Sequence, residues 1–188
     1  MDKLADWINP AYLDRGTVDE LRAVFEKEKQ ILLKDFLRKD AYELAMKLAR
    51  AAKFKRVFIP DQMSCAFAMK PDALLAFLVS EKFALYIEMI TGVKPGHKAF
   101  YTEFRAGDYA VIKDLPQDWK LVAHLTLSPW DESWGGRMIF RDAQGNHLSS
   151  CPQANALLLT QNQKKLRGYV EYVNHHAGKK TSVTANVG

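Results

Sequence analysis

The side chains able to do chemistry in this chain of 188 residues are few and widely spaced. Cys65 and Cys151 each stand alone, without a CxxC spacing or a neighbouring His, so neither a zinc knuckle nor a disulfide framework is expected of them. The histidines are His97, His124, His147 and the vicinal pair His175-His176. Successive residues of a strand point to opposite faces, so a vicinal pair seldom closes on one cation. No Gly-x-Ser-x-Gly or Cys-His signature supplies a nucleophile with its base. No glycine-rich loop of the GxGxxG or GxxxxGK[ST] type supplies a phosphate cradle. Trp119, Trp130 and Trp134, near Lys120 and Arg137, are of the types that stack on single-stranded nucleic acid, but packing is their expected role.

Such isolated groups act only if a fold gathers them. The composition, 48% apolar and 26% charged, is that of one soluble globular domain over residues 1–188 and excludes disorder, collagen and a small disulfide scaffold. The longest apolar run, Ala73 to Val79, stops at Ser80-Glu81-Lys82, far short of a membrane span. Acidic residues within the first seven positions speak against a signal peptide, and a cytoplasmic protein is expected. The excess of 27 basic over 22 acidic residues is scattered except at Lys53-Phe54-Lys55-Arg56, Lys164-Lys165-Leu166-Arg167 and Lys179-Lys180. That pattern reads as a solvated surface, with neither nucleic acid nor membrane as partner.

The first half reads mainly as helix. Thr17-Val18-Asp19-Glu20 is a capping box opening a helix with Leu21, Val24 and Phe25 on one stripe. An extended run from Ile31 to Phe36 precedes a second helix carrying Leu44, Ala45, Leu48, Ala49 and Ala52. Val57 to Ile59 and Cys65 to Met69 read as short strands, each ending near a proline. Pro71 then suits the first turn of a helix through Leu78, and Ser80 caps another that Gly92 stops. From Ala99 the period changes. Seven extended runs follow, Phe100 to Phe104, Tyr109 to Ile112, Leu121 to Leu127, Arg137 to Arg141, Ala156 to Thr160, Arg167 to Val173 and Thr181 to Val187, separated by glycine-rich turns. The expectation is a mainly β jelly-roll core over 99–188 with a helical support layer over 1–98.

The order of parts is similar to a known family. Phe100-Tyr101-Thr102-Glu103-Phe104-Arg105-Ala106-Gly107-Asp108-Tyr109, then Leu125-Thr126-Leu127-Ser128-Pro129-Trp130 with Trp134-Gly135-Gly136, resembles the 2-oxoglutarate and iron(II) dependent dioxygenases of the prolyl-hydroxylase-like branch. Ser80 through Gly92 resembles that branch's helix before the core, Pro152-Gln153-Ala154-Asn155-Ala156-Leu157 its Pro-x-x-Asn-x-Leu strand, and Val170-Glu171-Tyr172-Val173 its Val-x-x-Val. The resemblance covers about residues 30–188 and implies a double-stranded β-helix, with iron held by His-x-Asp from one strand and a distal His from another.

The ligands that the resemblance implies are not in their places. An ungapped match from Gly107-Asp108 puts Lys113 at the first His and Leu115 at the Asp, and a shift by one puts Ile112 and Asp114 there. Matching Val170 and Val173 puts Gly168 at the distal His. A protonated Lys beside a divalent cation adds like-charge repulsion, so no iron is expected. The cosubstrate segment is better kept. Gly178-Lys179-Lys180-Thr181-Ser182-Val183 resembles the family's basic residue followed two places later by Ser, which together bind the distal carboxylate of 2-oxoglutarate. Lys180 and Ser182 would then share one side of a strand and hold 2-oxoglutarate or another small carboxylate.

Lys113 and Lys180 would make the pocket cationic and suited to an anion, with Tyr101 and Tyr109 adding hydroxyls or a wall. Asp108 and Asp114 are the acids near enough in sequence to neutralise Lys113. The expectation is a dioxygenase-fold protein that binds a small anion or a protein partner without metal. A second reading is a metal-free enzyme with Lys113 as acid or base, assisted by Tyr109 or Lys180. A third is a variant iron site drawing on Asp114 and His175 or His176.

Overall fold

Three of the α-helices start under side chains that satisfy orphan backbone donors. A computed structural model describes residues 4–114, 119–141, 147–150, 152–162 and 166–188, with the backbone alone for 112–114 and 147–150. After α1 (Leu4–Trp7), helix α2 (Arg15–Glu28) begins under Asp14, whose carboxylate accepts from the Thr17 amide at 3.1 Å. The capping box at Thr17 therefore lies inside the helix, because the acid three residues upstream is already a cap. Lys29, in the left-handed region at φ 56°, turns the chain into β1 (Gln30–Leu33), which is shorter than the run expected to Phe36. Helix α3 (Lys39–Ala51) follows, then the hairpin β2 (Lys55–Ile59) and β3 (Met63–Ala68). Asp72 caps α4 (Ala73–Leu78), and Ser80 caps α5 (Glu81–Thr91), which Gly92 ends at φ 69°.

Strands fill the remainder: β4 (Ala99–Arg105), β5 (Tyr109–Asp114), β6 (Leu121–Thr126), β7 (Met138–Arg141), β8 (His147–Ser150), β9 (Ala156–Gln161), β10 (Arg167–Val170) and β11 (Thr181–Val187). Among the described residues eight strands thus stand where seven were expected. The added one, β8, carries no apolar alternation and is held by antiparallel pairing to β7, which places His147 on a strand. The last-but-one strand stops at Val170, before the expected Val173.

The strand order is β1-β9-β6-β11-β4-β3-β5-β10-β7-β8 with β2 on the outer edge of β3, and every pairing is antiparallel. The sheet curls into a half-barrel. Its first layer, β9-β6-β11-β4, faces the second, β5-β10-β7-β8, and β3 bridges them by pairing with both β4 and β5.

Alternation along the first layer divides two cores. Tyr101, Ala123, Leu125, Leu157, Leu159 and Ala185 face outward and pack with Trp7, Phe36, Phe83 and Ile87 of the helical layer. Burying each large side chain of this kind contributes about 1.5–3 kcal/mol, so this layer fixes the helices on the sheet. Phe104, Cys65, Val170 and Val173 form a separate cluster between the two layers. Among the described residues no helix is long and apolar enough to cross a membrane.

Candidate functional site

Two strands bring together the positions that matter most. In the antiparallel pairing of β5 with β10, Gly168 is the direct partner of Lys113, and Arg167 of Asp114. Directly opposed residues lie about 4.5–5.5 Å apart at Cα and share a face. The register slips between Gly168 and Val170, whose partner is Ala110. That bulge returns position 113 to the face of Ala110 and Val170, the face between the layers. Tyr109 pairs with Ser64 on the opposite face, so the bulge separates Tyr109 from position 113 although both carry odd numbers.

Asp108 is also committed elsewhere. It is 2% exposed, and its carboxylate accepts from the Arg56 guanidinium, from Ser64 Oγ at 2.7 Å and from the Arg105 amide at 2.9 Å. These bonds close the β4–β5 turn and pair Asp108 with Arg56, while the Lys113 side chain that Asp108 was expected to neutralise lies outside the described residues.

Inside the roll, the inward positions of the first layer carry hydroxyls. Thr102, His124, Thr126, Ser182 and Thr184 line a cavity of about 30 Å³ with Phe104, Met138, Leu158 and Val170. A buried water needs roughly 10–15 Å³ on this scale, so the space suits a water or two and is too small for a five-carbon dicarboxylate. Asn186 donates through Nδ2 to Thr102 Oγ1 at 3.1 Å and to the Thr184 carbonyl at 3.1 Å. Its Oδ1 is therefore the acceptor facing His124, whose Nδ1–H donates to it. Burial pushes the His124 pKa down to about 4, against a smaller upward pull from Asn186, so the ring is neutral near pH 7.

The remaining candidates fall in different places. Ser182 is buried and lines the inner cavity. Lys180 is exposed and lines a different cavity, outside the first layer. The alternation expected to align them does not reach that far, because the Lys180 amide bonds back to the Ala177 carbonyl at 2.9 Å and the chain is still turning. Tyr101 is fully buried against the helices on the face opposite Ser182, and its hydroxyl donates to Asp72 at 2.8 Å. Desolvation, with Asp72 beside it, raises its pKa far above the usual phenol range. His175 and His176 sit exposed in a short 3-10 turn, rings 4.1 Å apart. Among the described residues no three His, Cys, Asp or Glu side chains converge as a metal site would require. The donor set described inside the roll, hydroxyls with one histidine already bonded to Asn186, does not fit a 2-His-1-carboxylate iron centre.

The outer cavity is the larger of the two, about 680 Å³, and although several of its walls belong to segments quoted above, nothing in the sequence gathers them into one site. Met46, Ala49 and Arg50 of α3, Phe54, the segment Ser128–Trp134 and the start of β11 enclose it. Trp130 is fixed by its Nε1 bond to the Gly135 carbonyl at 2.8 Å, and Trp134 meets it edge-on at 5.1 Å. Gly135 has φ 74°, and a Cβ there would stand 2.3 Å from the Tyr172 carbonyl oxygen. Only glycine allows that approach, which accounts for the Trp-Gly-Gly motif.

Comparisons with known proteins agree with this architecture. Residues 1–64 match the family model described as "Oxoglutarate and iron-dependent oxygenase degradation C-term". Prolyl 3-hydroxylase OGFOD1 of Xenopus laevis is 22% identical over 224 residues, covering 92% of this chain and 43% of that protein, so the chain spans less than half the length of this curated relative. Among solved structures, a Pseudomonas putida prolyl-4-hydroxylase superposes with a TM-score of 0.70 at 14% identity, covering 90% of this chain and 96% of that one. A 2OG-Fe(II) oxygenase family oxidoreductase from Burkholderia pseudomallei gives 0.74 at 10% identity, covering 93% and 91%. A Trichoplax adhaerens prolyl hydroxylase, solved with a hypoxia inducible factor peptide fragment, gives 0.66 at 10% identity, covering 94% of each chain.

Proposed function

We propose that this chain, related in sequence and fold to the prolyl-hydroxylase-like 2-oxoglutarate/iron(II) oxygenases, works without iron and serves as a binding module, its partner a protein or a small anion. The observation that carries the reading is the register of β5 on β10. The ungapped match to the family puts Lys113 and Gly168 at the two His positions, with Ile112 in place of Lys113 in the shifted register, and Lys113 and Gly168 are direct cross-strand partners, an arrangement from which two ligands could reach one cation. One position offers an ammonium group and the other no side chain. The small inner cavity supports the same reading, since a cosubstrate of five carbons has no room beside Ser182 and Thr184.

A protein partner is favoured over a small anion at the inner site. Lys180 and Ser182, the pair expected to grip a carboxylate, line separate cavities. The solved prolyl hydroxylase with a bound peptide fragment gives a precedent for protein recognition on this fold. The metal-free enzyme draws on the Lys113 side chain, which lies outside the described residues, while Tyr109 is paired with Ser64 of β3.

The test is turnover by purified protein supplied with iron(II), ascorbate and 2-oxoglutarate. The expected result is no succinate above the protein-free control, with or without added prolyl peptides. Succinate formed in proportion to protein concentration would overturn the proposal.

A further inference from the structure

The outer cavity stands at the end of the roll where β11 begins, with Thr181 paired to Arg105. Positions 113 and 168 stand at the other end of β5, so the cavity is separate from the place where the related oxygenases would hold their metal. Its floor is apolar and its rim is charged. Met46, Ala49, Phe54 and Val183 line it with the paired rings of Trp130 and Trp134. Arg50 from α3 and Lys179 and Lys180 from the turn before β11 are exposed, and no ion pair is described for any of them among the described residues. Of the two acids, Asp131 is turned into its own segment, accepting from the Ser133 amide at 2.8 Å and from Ser133 Oγ at 2.6 Å. Those bonds hold its pKa below the ordinary value. Asp131 thus stays ionised but has its lone pairs engaged within its own segment, and with Glu103 it stands against three cations, which leaves the rim with an excess of one positive charge.

We infer that this groove docks an extended acidic peptide segment of a partner protein, with an aromatic or aliphatic side chain laid on Trp130 and Trp134 and carboxylates engaged by Arg50 and by Lys179 or Lys180. The volume, about 680 Å³, is that of a site for a drug-sized ligand, roughly 300–1,000 Å³, so it takes a few side chains of such a segment rather than its whole length. Trp130 is immobilised by its bond to Gly135, so little side-chain freedom remains to be lost when a ligand stacks on it. The cations come from two separate elements, so a segment with several carboxylates engages both banks where a single carboxylate engages one. The inference rests on the reading of the chain as a protein-binding module and supplies the chemistry of the partner.

The experiment uses fluorescence anisotropy with labelled Glu-Asp-Phe-Glu-Asp as probe and labelled Lys-Lys-Phe-Lys-Lys as its charge-reversed control. The acidic probe is expected to bind saturably and the basic one not at all. Raising salt from about 0.05 to about 0.5 M weakens rim contacts of this kind. The double substitution Arg50→Glu with Lys180→Glu, both on exposed side chains that leave packing intact, should weaken binding at least about tenfold. Phe58→Ser, on the remote β2 edge, should leave it unchanged. Failure of the acidic probe to bind, equal binding to the charge-reversed variant, or displacement by free glutarate at equal concentration would each overturn the inference. A negative result here together with no succinate in the turnover assay would remove the groove and leave the iron-free reading standing.

Discussion

At the scale of single residues, His124 gives the clearest handle. Its pKa is about 4 in the folded chain against about 6.5 when unfolded, so below pH 6.5 the unfolded state binds a proton that the folded state refuses. Stability is therefore full above that pH and is lost as pH falls toward 4, by up to about 3 kcal/mol. Urea unfolding midpoints across this window measure it, and His124→Gln should flatten the profile; an unchanged slope in that variant would place the proton elsewhere. Asn155 is a second case. It adopts φ 56°, accepts from the Leu37 amide at 2.9 Å and donates to the Leu37 carbonyl at 2.8 Å, tying the segment after β1 to the start of β9. Asn155→Ala leaves two buried backbone groups unpaired and imposes a left-handed alanine, and should cost about 2–4 kcal/mol in thermal or urea denaturation. Its place in a Pro-x-x-Asn-x-Leu pattern was visible in the sequence, whereas its partner 118 residues away was not.

Among the elements, β5 sets the limit of what spacing alone reveals. Period-two counting puts residues 109, 111 and 113 on one face, and one bulge opposite Gly168 and Val170 undoes that count. The helix α5 was legible because Ser80 and Gly92 punctuate it, α4 starts later than expected because Asp72 is its cap and leaves Pro71 outside the first turn, and α2 was displaced because Asp14 competes with Thr17 for the cap. Strand β8 was hidden because its stability comes from pairing with β7 rather than from its own pattern. The groove was equally hidden, since Arg50, Phe54 and Lys180 meet through tertiary packing across more than half the chain. The pairing of β5 with β10 makes a constructive prediction. Lys113→His, Leu115→Asp and Gly168→His together should restore a divalent site, seen as a cobalt(II) visible absorption band that the parent chain lacks. A folded triple variant without that band would argue against the match of these positions. At the β7 entry, Gly135→Ala drives a methyl into the Tyr172 carbonyl and should cost several kcal/mol, read as a lower melting temperature.

For the molecule as a whole, the oxygenase-type half-barrel, the helical layer over its outer face and the likeness to prolyl hydroxylases are consistent with one another. The sequence carried this level well, because the order of many short motifs is set by the fold and survives substitution at single positions. What spacing could not carry was the division of labour between the two sides of the first layer, with a hydroxyl-lined cavity of water size inside and a cationic aromatic groove outside. The account turns on whether the roll retains a transition metal. Metal analysis of the chain after anaerobic loading with iron(II) and removal of free ion tests this most directly. Iron far below one atom per chain is the predicted result, and one tightly held iron per chain would contradict the account.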